Sequence, residues 1–377
     1  MITGARAPVT LHLSRILHSQ GVNVFLADSI NQPISAASNS VQHFFLLPSP
    51  KFHTEKFLNV LNQVVNENNI DLIIPTCEET FYLSMLMDKI NCSVFTDKTE
   101  TLHLLHNKLN FINFIERLGY QVPVTISTNS HNLVKNQLKE LPFIELVLKP
   151  IYSRFSDSVS FTTKNEILNS TSNLKANWIV QQRIKGTQYC SYSVVDKGKV
   201  VAHTVYKTTF TAGLGASISF KHEDIPFIYE FTKDVVSELN YSGQIAFDFI
   251  RDSNGNFYPL ECNPRATSGL HLFSGDIGNV MMGNAPSNLL TPSKDSKYAI
   301  KLALLLYGYN YWTDFSKFKL WISTLVHYTD IIYDNKDKRP YTYQFYSMYK
   351  IWKDSRKEKR SLLEQTTYDI SWDGEYF

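Results

Sequence analysis

The residues best suited to chemistry lie between Phe247 and Arg265. Phe247-Asp248-Phe249-Ile250 and Tyr258-Pro259-Leu260-Glu261-Cys262-Asn263 are apolar-rich runs separated by Asp252-Ser253-Asn254-Gly255-Asn256. Asn-Gly between alternating runs is a strong hairpin signal. With Asn254 and Gly255 as the turn, Asp248 falls directly opposite Glu261. Strand period two then sets Asn263 on the face of Glu261, while Phe247, Phe249, Leu260 and Cys262 take the other face and can pack in a core. A three-residue turn with a bulge would shift this register by one. Two carboxylates directly opposite repel, and a divalent cation reverses that sign. Hard oxygen donors suit magnesium, with manganese as a substitute. Magnesium takes one or two carboxylates and completes its octahedron with water and phosphate oxygens. A surface hairpin with two solvated acids is the plain alternative.

Asp248 followed by Glu261-Cys262-Asn263-Pro264-Arg265 resembles the metal-binding hairpin of the ATP-grasp superfamily, where two acids and an Asn hold magnesium ions on ATP. The resemblance covers roughly residues 1–275 and implies further roles by order and spacing. Lys108 in Asn107-Lys108-Leu109 matches the lysine on the helix before the nucleotide fold. Lys149 in Leu146-Val147-Leu148-Lys149-Pro150 matches the lysine that ends a strand before the phosphate-covering loop. A triphosphate carries more negative charge than two metal ions neutralise, and lysines on fixed elements supply the rest. The stretch Trp178 to Gln188 resembles the inter-lobe hinge that binds adenine. There Gln181 holds the position of a side chain facing the amino group, next to Gln182, and Arg183 and Ile184 offer backbone groups. Gln188 stands where the family usually has a glutamate on the ribose hydroxyls, and its amide can still accept a hydrogen bond. The loop from Ile151 to Ser158 has none of the glycines the family often uses to wrap phosphates. Ser153, Arg154 and Ser156 are the donors available instead. Lys207 after Tyr206 is expected, on the same resemblance, to be a further nucleotide contact. Gly213 and Gly215 mark a mobile loop near the site or a plain hairpin connection. Arg265 is placed to reach the transferred phosphoryl group, and Thr267, Ser268 and His271 to shape the acceptor site, with a structural role open for His271.

Elements that would position these residues can be read from periodicity. The first hundred residues alternate short apolar runs with amphipathic stretches, the pattern of an open parallel sheet with helices on its faces. Its loop Pro75-Thr76-Cys77-Glu78-Glu79 ends a strand, which makes Glu78 either a substrate contact or a helix cap. Cys77 reads as a packing residue. The opening strand is short at the very start, so a natural start a few residues upstream is expected. From Phe143 to Cys262 the pattern turns to β, with helices at 164–170 and 226–239; from about Ser293 it becomes helical and aromatic. The expected fold is α/β and α+β in three parts. These are an N-terminal Rossmann-like domain (1–98), a two-lobed ATP-grasp fold (99–290, hinge near 181–188) and a helical C-terminal region (291–377). Between Tyr307 and Trp352, 15 of 46 residues are aromatic. They form either a cap on the ATP fold or an apolar wall for the acceptor. Lys350 to Arg360 carries six basic residues, taken as a solvated helix face in preference to an anion site.

Composition narrows the classes. With 37 basic and 35 acidic residues the chain nets +2, so no nucleic acid or membrane partner is expected from total charge. Four scattered cysteines give no disulfide framework, and a reducing, cytoplasmic setting is expected. The resemblance implies a ligase that uses ATP and Mg2+ (or Mn2+) to phosphorylate a small carboxylate and join it to an amine. A homodimer is compatible with it. The closing Asp369-Ile370-Ser371-Trp372-Asp373-Gly374 and the opening Thr3-Gly4-Ala5-Arg6-Ala7-Pro8 resemble the carbamoyl-phosphate-synthase-like subset. Three alternatives stand beside this reading: a non-catalytic Mg-ATP-binding protein, a bicarbonate-phosphorylating enzyme, and a dinucleotide-dependent reductase. The last lacks the Gly-x-Gly-x-x-Gly set.

Overall fold

The computed structural model of the chain describes residues 1–129, 131–152, 159–170, 174–213, 215–284, 286–311 and 314–374. Arg154, with Ser153 and Ser156, lies outside them, as does Leu214.

The N-terminal part is a parallel sheet built by β-α-β alternation. It contains β1 (Ile2–Thr3), α1 (Pro8–Ser19), β2 (Phe25–Asp28), β3 (His43–Leu46), α2 (Thr54–Glu67), β4 (Leu72–Ile73), α3 (Glu79–Met85) and β5 (Ser93–Val94). β1 pairs with β2, β2 with β3 and β4 with β5, all parallel. An Ile2–Ile74 bridge joins the halves, giving the order β3-β2-β1-β4-β5. The strand order reverses between β1 and β4, so the loops after them face a crevice at the carboxyl ends. Pro8 opens α1 at the position where a missing N–H costs nothing. Leu13, Ile16 and Leu17 of α1 pack onto Leu26 and Ile74, while Phe57, Leu61 and Val65 of α2 cover Ala27 and Ile73 on the other face.

Two helices, α4 (Thr99–His106) and α5 (Lys108–Arg117), lead into a four-stranded antiparallel sheet. Its strands are β6 (Thr125–Ser127), β7 (Glu145–Pro150), β8 (Ser160–Thr163) and β9 (Trp178–Gln182), in the order β6-β9-β7-β8. α6 (His131–Glu140) and α7 (Lys164–Asn169) cover one face through Val134, Leu138 and Ile167. Thr163 and Glu166 form a capping box that starts α7 after β8.

The larger sheet contains β10 (Thr187–Asp196), β11 (Lys199–Lys207), β14 (Ser219–Glu223), β15 (Gly243–Arg251) and β16 (Phe257–Asn263). A small ribbon of β12 (Thr211–Ala212) and β13 (Ala216–Ser217) projects between β11 and β14, and α8 (Pro226–Glu238) precedes β15. Phe231 and Val235 of α8 and Phe111 and Ile115 of α5 pack on Phe247 and Phe249, forming the main core.

The tail corrects one expectation. After α9 (Asp276–Met281), which precedes it, the tail has α10 (Lys301–Tyr307), α11 (Phe315–His327), α12 (Arg339–Glu358) and α13 (Leu362–Gln365), but also β17 (Lys297–Ala299) and β18 (Thr329–Asp330). β17 pairs with β14, and β18 pairs with β17, so the chain after 293 extends the large sheet. Strands this short carry no periodicity, and edge pairing makes them. Among the described residues no helix is long and apolar enough to cross a membrane.

The hairpin of β15 and β16 corrects a second. Asp248 does face Glu261, but Phe249 faces Pro259 and Arg251 faces Phe257. The turn is therefore the five residues 252–256 and not Asn254-Gly255 alone. Asp252 holds it by accepting from the Asn254 and Asn256 N–H groups, both at 2.9 Å. A bulge at Leu260 restores the register before Glu261. It also moves Leu260 off the core face, where Phe247, Phe249 and Cys262 remain.

Candidate active site

Four charges converge where α5, β7 and the hairpin meet. Asn107 caps α5 by accepting from the Asn110 N–H at 3.0 Å, which sets Lys108 in the first turn. The buried Lys108 ammonium lies 3.5 Å from Glu261. Lys149, buried near the end of β7, has its ammonium lowered to about 8 by burial; Glu261 pulls it back up and Lys108 pushes it further down. Burial works to raise the Glu261 carboxyl, but Lys108 and Lys149 outweigh it and hold the group below its ordinary range. Asp248 goes the other way, to about 7, first by burial and then by the charge of Glu261 opposite. Asn263 Nδ2 lies 3.4 Å from the Asp248 carboxylate.

A cleft of about 350 Å3 opens from these charges between the four-stranded sheet and the hairpin. Val147, Val159 and Phe161 line one wall and Ile250 and Leu260 the other, so the bulge supplies apolar surface to the cleft. Its back is the segment Gln181 to Gly186, with Gln188 beyond it. Gln181 is buried and donates its amide to Thr125 Oγ1 at 2.8 Å. Gln182 N–H donates to the Val124 carbonyl at 2.8 Å and the Arg183 N–H to that of Glu145 at 3.1 Å. Among the described residues, no backbone partner takes the Ile184 N–H. The Arg183 guanidinium covers the Phe161 ring at 4.4 Å. Gly186 must lack a side chain, because a Cβ there would collide with the Arg251 carbonyl of the hairpin.

A second cavity, of about 160 Å3, adjoins the first through Gln188, Asp248 and Glu261. Gly215, Ala216 and Ser217 of the β12–β13 ribbon form one side, with Asn263, Arg265, Thr267 and Ser268 opposite. Cys190 and Tyr206 complete it. Sequence reading missed these two; β-register alone could find them, since Cys190 lies opposite both Asp248 and Tyr206. Arg265 donates to Asn263 Oδ1 at 3.1 Å and to the Ala266 carbonyl at 3.1 Å, which fixes its plane.

Three expected contacts lie elsewhere. Glu78 is buried beneath Arg265, 3.7 Å from its Nε and 3.9 Å from His106 Nε2, and makes no capping hydrogen bond. It holds Arg265 from behind and does not line either cavity. His271 is buried against His12 and Phe220, because the 3-10 turn Ser268–Leu272 rotates it inward. Lys207 is exposed and opposite Tyr189, on the sheet face away from Gln188 and Cys190. Burial raises the Cys77 thiol to about 12, the state of a packing residue. Among the described residues nothing after Ser268 lines the two cavities.

The donor set fits a magnesium ion. Among the described residues no group of three or more His, Cys, Asp and Glu forms a protein-only metal cage. Asp248 and Glu261 leave coordination positions for water and phosphate, as this ion prefers; the Asn263 amide oxygen faces Arg265 and would join them by a turn of the amide.

Residues 105–269 match the family model described as an ATP-grasp domain. A search of curated proteins finds no match. Solved structures are similar in fold. The biotin carboxylase domain of Hydrogenobacter thermophilus 2-oxoglutarate carboxylase, solved with MgADP, ADP and bicarbonate, is 13% identical with a TM-score of 0.61, over 78% of this chain and 71% of that one. N5-carboxyaminoimidazole synthetase from Staphylococcus aureus is 14% identical at 0.61, over 78% of each chain. L-amino acid ligase from Bacillus licheniformis is 14% identical at 0.55, over 75% and 73%.

Proposed function

From the ATP-grasp domain that this chain carries, we propose that the protein is an ATP-dependent ligase that joins a small carboxylic acid to an amine. The observation that carries this is the position of Asp248 and Glu261, which border both the nucleotide-sized cleft and the small polar cavity beside it. In this reading adenine lies between the apolar walls and contacts the Arg183–Ile184 backbone. Gln188 serves the ribose, and Lys108 and Lys149 take the phosphates. Asp248, Glu261 and Asn263 would hold Mg2+, which supplies charge neutralisation on the phosphate oxygens.

The acid is held beside Arg265, Thr267 and Ser268. Its carboxylate oxygen attacks the γ-phosphorus, and the bond to the β-γ bridging oxygen breaks to release ADP. The resulting acyl phosphate accepts the amine nitrogen at its carbonyl carbon. Phosphate leaves with the C–O bond electrons, and the amine proton passes to solvent. Positioning and charge supply most of the rate in phosphoryl transfer, and the cavities offer cations and metal ligands for it. An ATP-consuming reaction and four free thiols fit the cytoplasm.

A bicarbonate-phosphorylating enzyme is the second reading, favoured by the small size of the acid-side cavity. A panel of carboxylic acids and bicarbonate, each with and without amines, tests both through ADP release in Mg-ATP. Acid-dependent ADP and an amide product are expected. Release with bicarbonate alone would support the second reading. ATP binding without turnover across the panel would overturn both.

A further inference from the structure

α12 presents the reverse of an ordinary surface helix. It turns Pro340, Gln344, Ser347 and Ser355 inward, where they are buried. Outside it leaves Tyr341, Phe345, Met348, Tyr349 and Trp352, with Phe345, Tyr349 and Trp352 54%, 52% and 47% exposed. These five recur at i, i+4, i+7, i+8 and i+11, so they form one stripe, about 16 Å long at the helical rise. The helix is a fixed element of the fold. Just before it, Asp337 accepts from Arg15 Nε at 2.9 Å and from the Ser38 hydroxyl at 2.6 Å. At its end, the Ser355 hydroxyl donates to the Arg360 carbonyl at 2.7 Å.

Charge on this helix is segregated. Residues 338–360 hold eight basic and two acidic side chains, a local +6 in a chain that nets +2. Lys353, Arg356, Lys357 and Lys359 are exposed, and the Arg356 guanidinium lies 6.0 Å from the Trp352 ring. The balance of the whole chain conceals this patch. A second copy would bring the same cations together with little acid to answer them, since Glu358 already pairs with Lys357 and Arg360. A nucleic acid would answer the charge but not the continuous apolar stripe. An anionic bilayer answers both: aromatic rings settle at the headgroup boundary, and Lys and Arg reach lipid phosphates.

We infer that α12 is a membrane-docking helix that lies in the plane of an anionic phospholipid surface, with the Tyr341–Trp352 stripe inserted to the headgroup boundary. The contact is peripheral. This inference does not depend on the ligase reading.

The test is co-sedimentation of the full chain with phosphatidylcholine vesicles, with and without about a third phosphatidylglycerol. At about 0.1 M salt the protein pellets with the anionic vesicles only, and raising the salt toward 1 M releases it. Replacing Lys353, Arg356 and Lys357 together by Gln weakens binding by about a hundredfold, at roughly fivefold per charge. Tyr349→Ser with Trp352→Ser abolishes it while the thermal melt is retained. Brominated lipid quenches the wild-type fluorescence and spares Trp352→Phe. Protein that stays in the supernatant with both vesicle types overturns the inference. So does vesicle binding that the triple Gln variant retains in full. Concentration-dependent dimers broken by Phe345→Ser, or retention on RNA, each without vesicle binding, would assign the stripe to another partner and overturn it too.

Discussion

Lys108 and Lys149 hold the Glu261 carboxyl ionised, and Glu261 in turn raises both the Asp248 carboxyl and the Lys149 ammonium. Glu261→Gln removes the carboxylate that both lysines hold ionised. ATP turnover is expected to fall by about 100-fold or more, with the melt nearly unchanged because the side chain borders open cleft. Unchanged ADP release in this variant would refute the metal assignment. Lys149→Ala is expected to raise the KM for ATP roughly 10- to 100-fold, the worth of a hydrogen bond to a charged group; unaltered ATP kinetics would remove the lysine from the phosphate site. Asp248 and Glu261 were legible from the hairpin pattern, and Lys108 and Lys149 from the resemblance to the ATP-grasp family in order and spacing. Cys190 and Tyr206 were not, because neither has a distinctive neighbourhood in sequence and only cross-strand register brings them to Asp248. Of the two roles open for His271, the structure gives the packing one. It follows two cavity residues, Thr267 and Ser268, but a single 3-10 turn rotates it into the core.

Elements were legible where they are long and periodic, as in α1, α2, α8 and the strands of the large sheet. Of the two-residue strands, β1 and β4 were read from their apolar runs, but β5 and β18 were not, since their only support is pairing across the fold. The hairpin shows how two local features can offset. A five-residue turn and a bulge at Leu260 together restore the Asp248–Glu261 pair that a two-residue turn would also give. The segment after α13 is a further case. Trp372 stacks on Phe81 at 4.8 Å and meets His103 and Tyr152 edge-on at 5.3 and 5.7 Å. Tyr152 follows the end of β7, close to Lys149, and takes a hydrogen bond from Asn107, the cap of α5, at 2.8 Å. The tail therefore braces the two elements that carry the lysines. Trp372→Ala is expected to cost about 3–5 kcal/mol and to raise the KM for ATP in protein that remains folded. Lost stability with unchanged ATP kinetics would confine Trp372 to packing.

At the scale of the whole molecule, the chain's two ends close on each other. The Arg6 guanidinium donates to Asp28 at 3.0 Å and to Asp369 at 2.6 and 2.8 Å, and Ser29 adds a hydroxyl to Asp369 at 2.6 Å. The opening and closing motifs singled out in the sequence thus meet across 363 residues, which no local pattern could have announced. Burial works to raise the Asp369 carboxyl, but Arg6 and Ser29 outweigh it and hold the group below the usual range. A carboxyl depressed in the folded state contributes stability that is fully present above its unfolded pKa, about 3.9. That contribution is lost as pH falls through the lower folded value. Asp369→Asn is therefore expected to cost about 2 kcal/mol at neutral pH, read from urea midpoints. The gap from wild type should begin to narrow below about pH 4, where the unfolded chain's carboxyl takes up its proton, and close as pH falls through the lower folded value, where the wild type loses the same ion pair. Arg6 keeps Asp28 in the variant, so the N-terminal sheet should stay intact while the tail loosens. Protease cleavage near Thr366 would then appear in Asp369→Asn at neutral pH and in the wild type only in acid. A gap of constant size across that range would mean that the strap is held by Trp372 packing, and that the Arg6 ion pair contributes nothing to closing the chain.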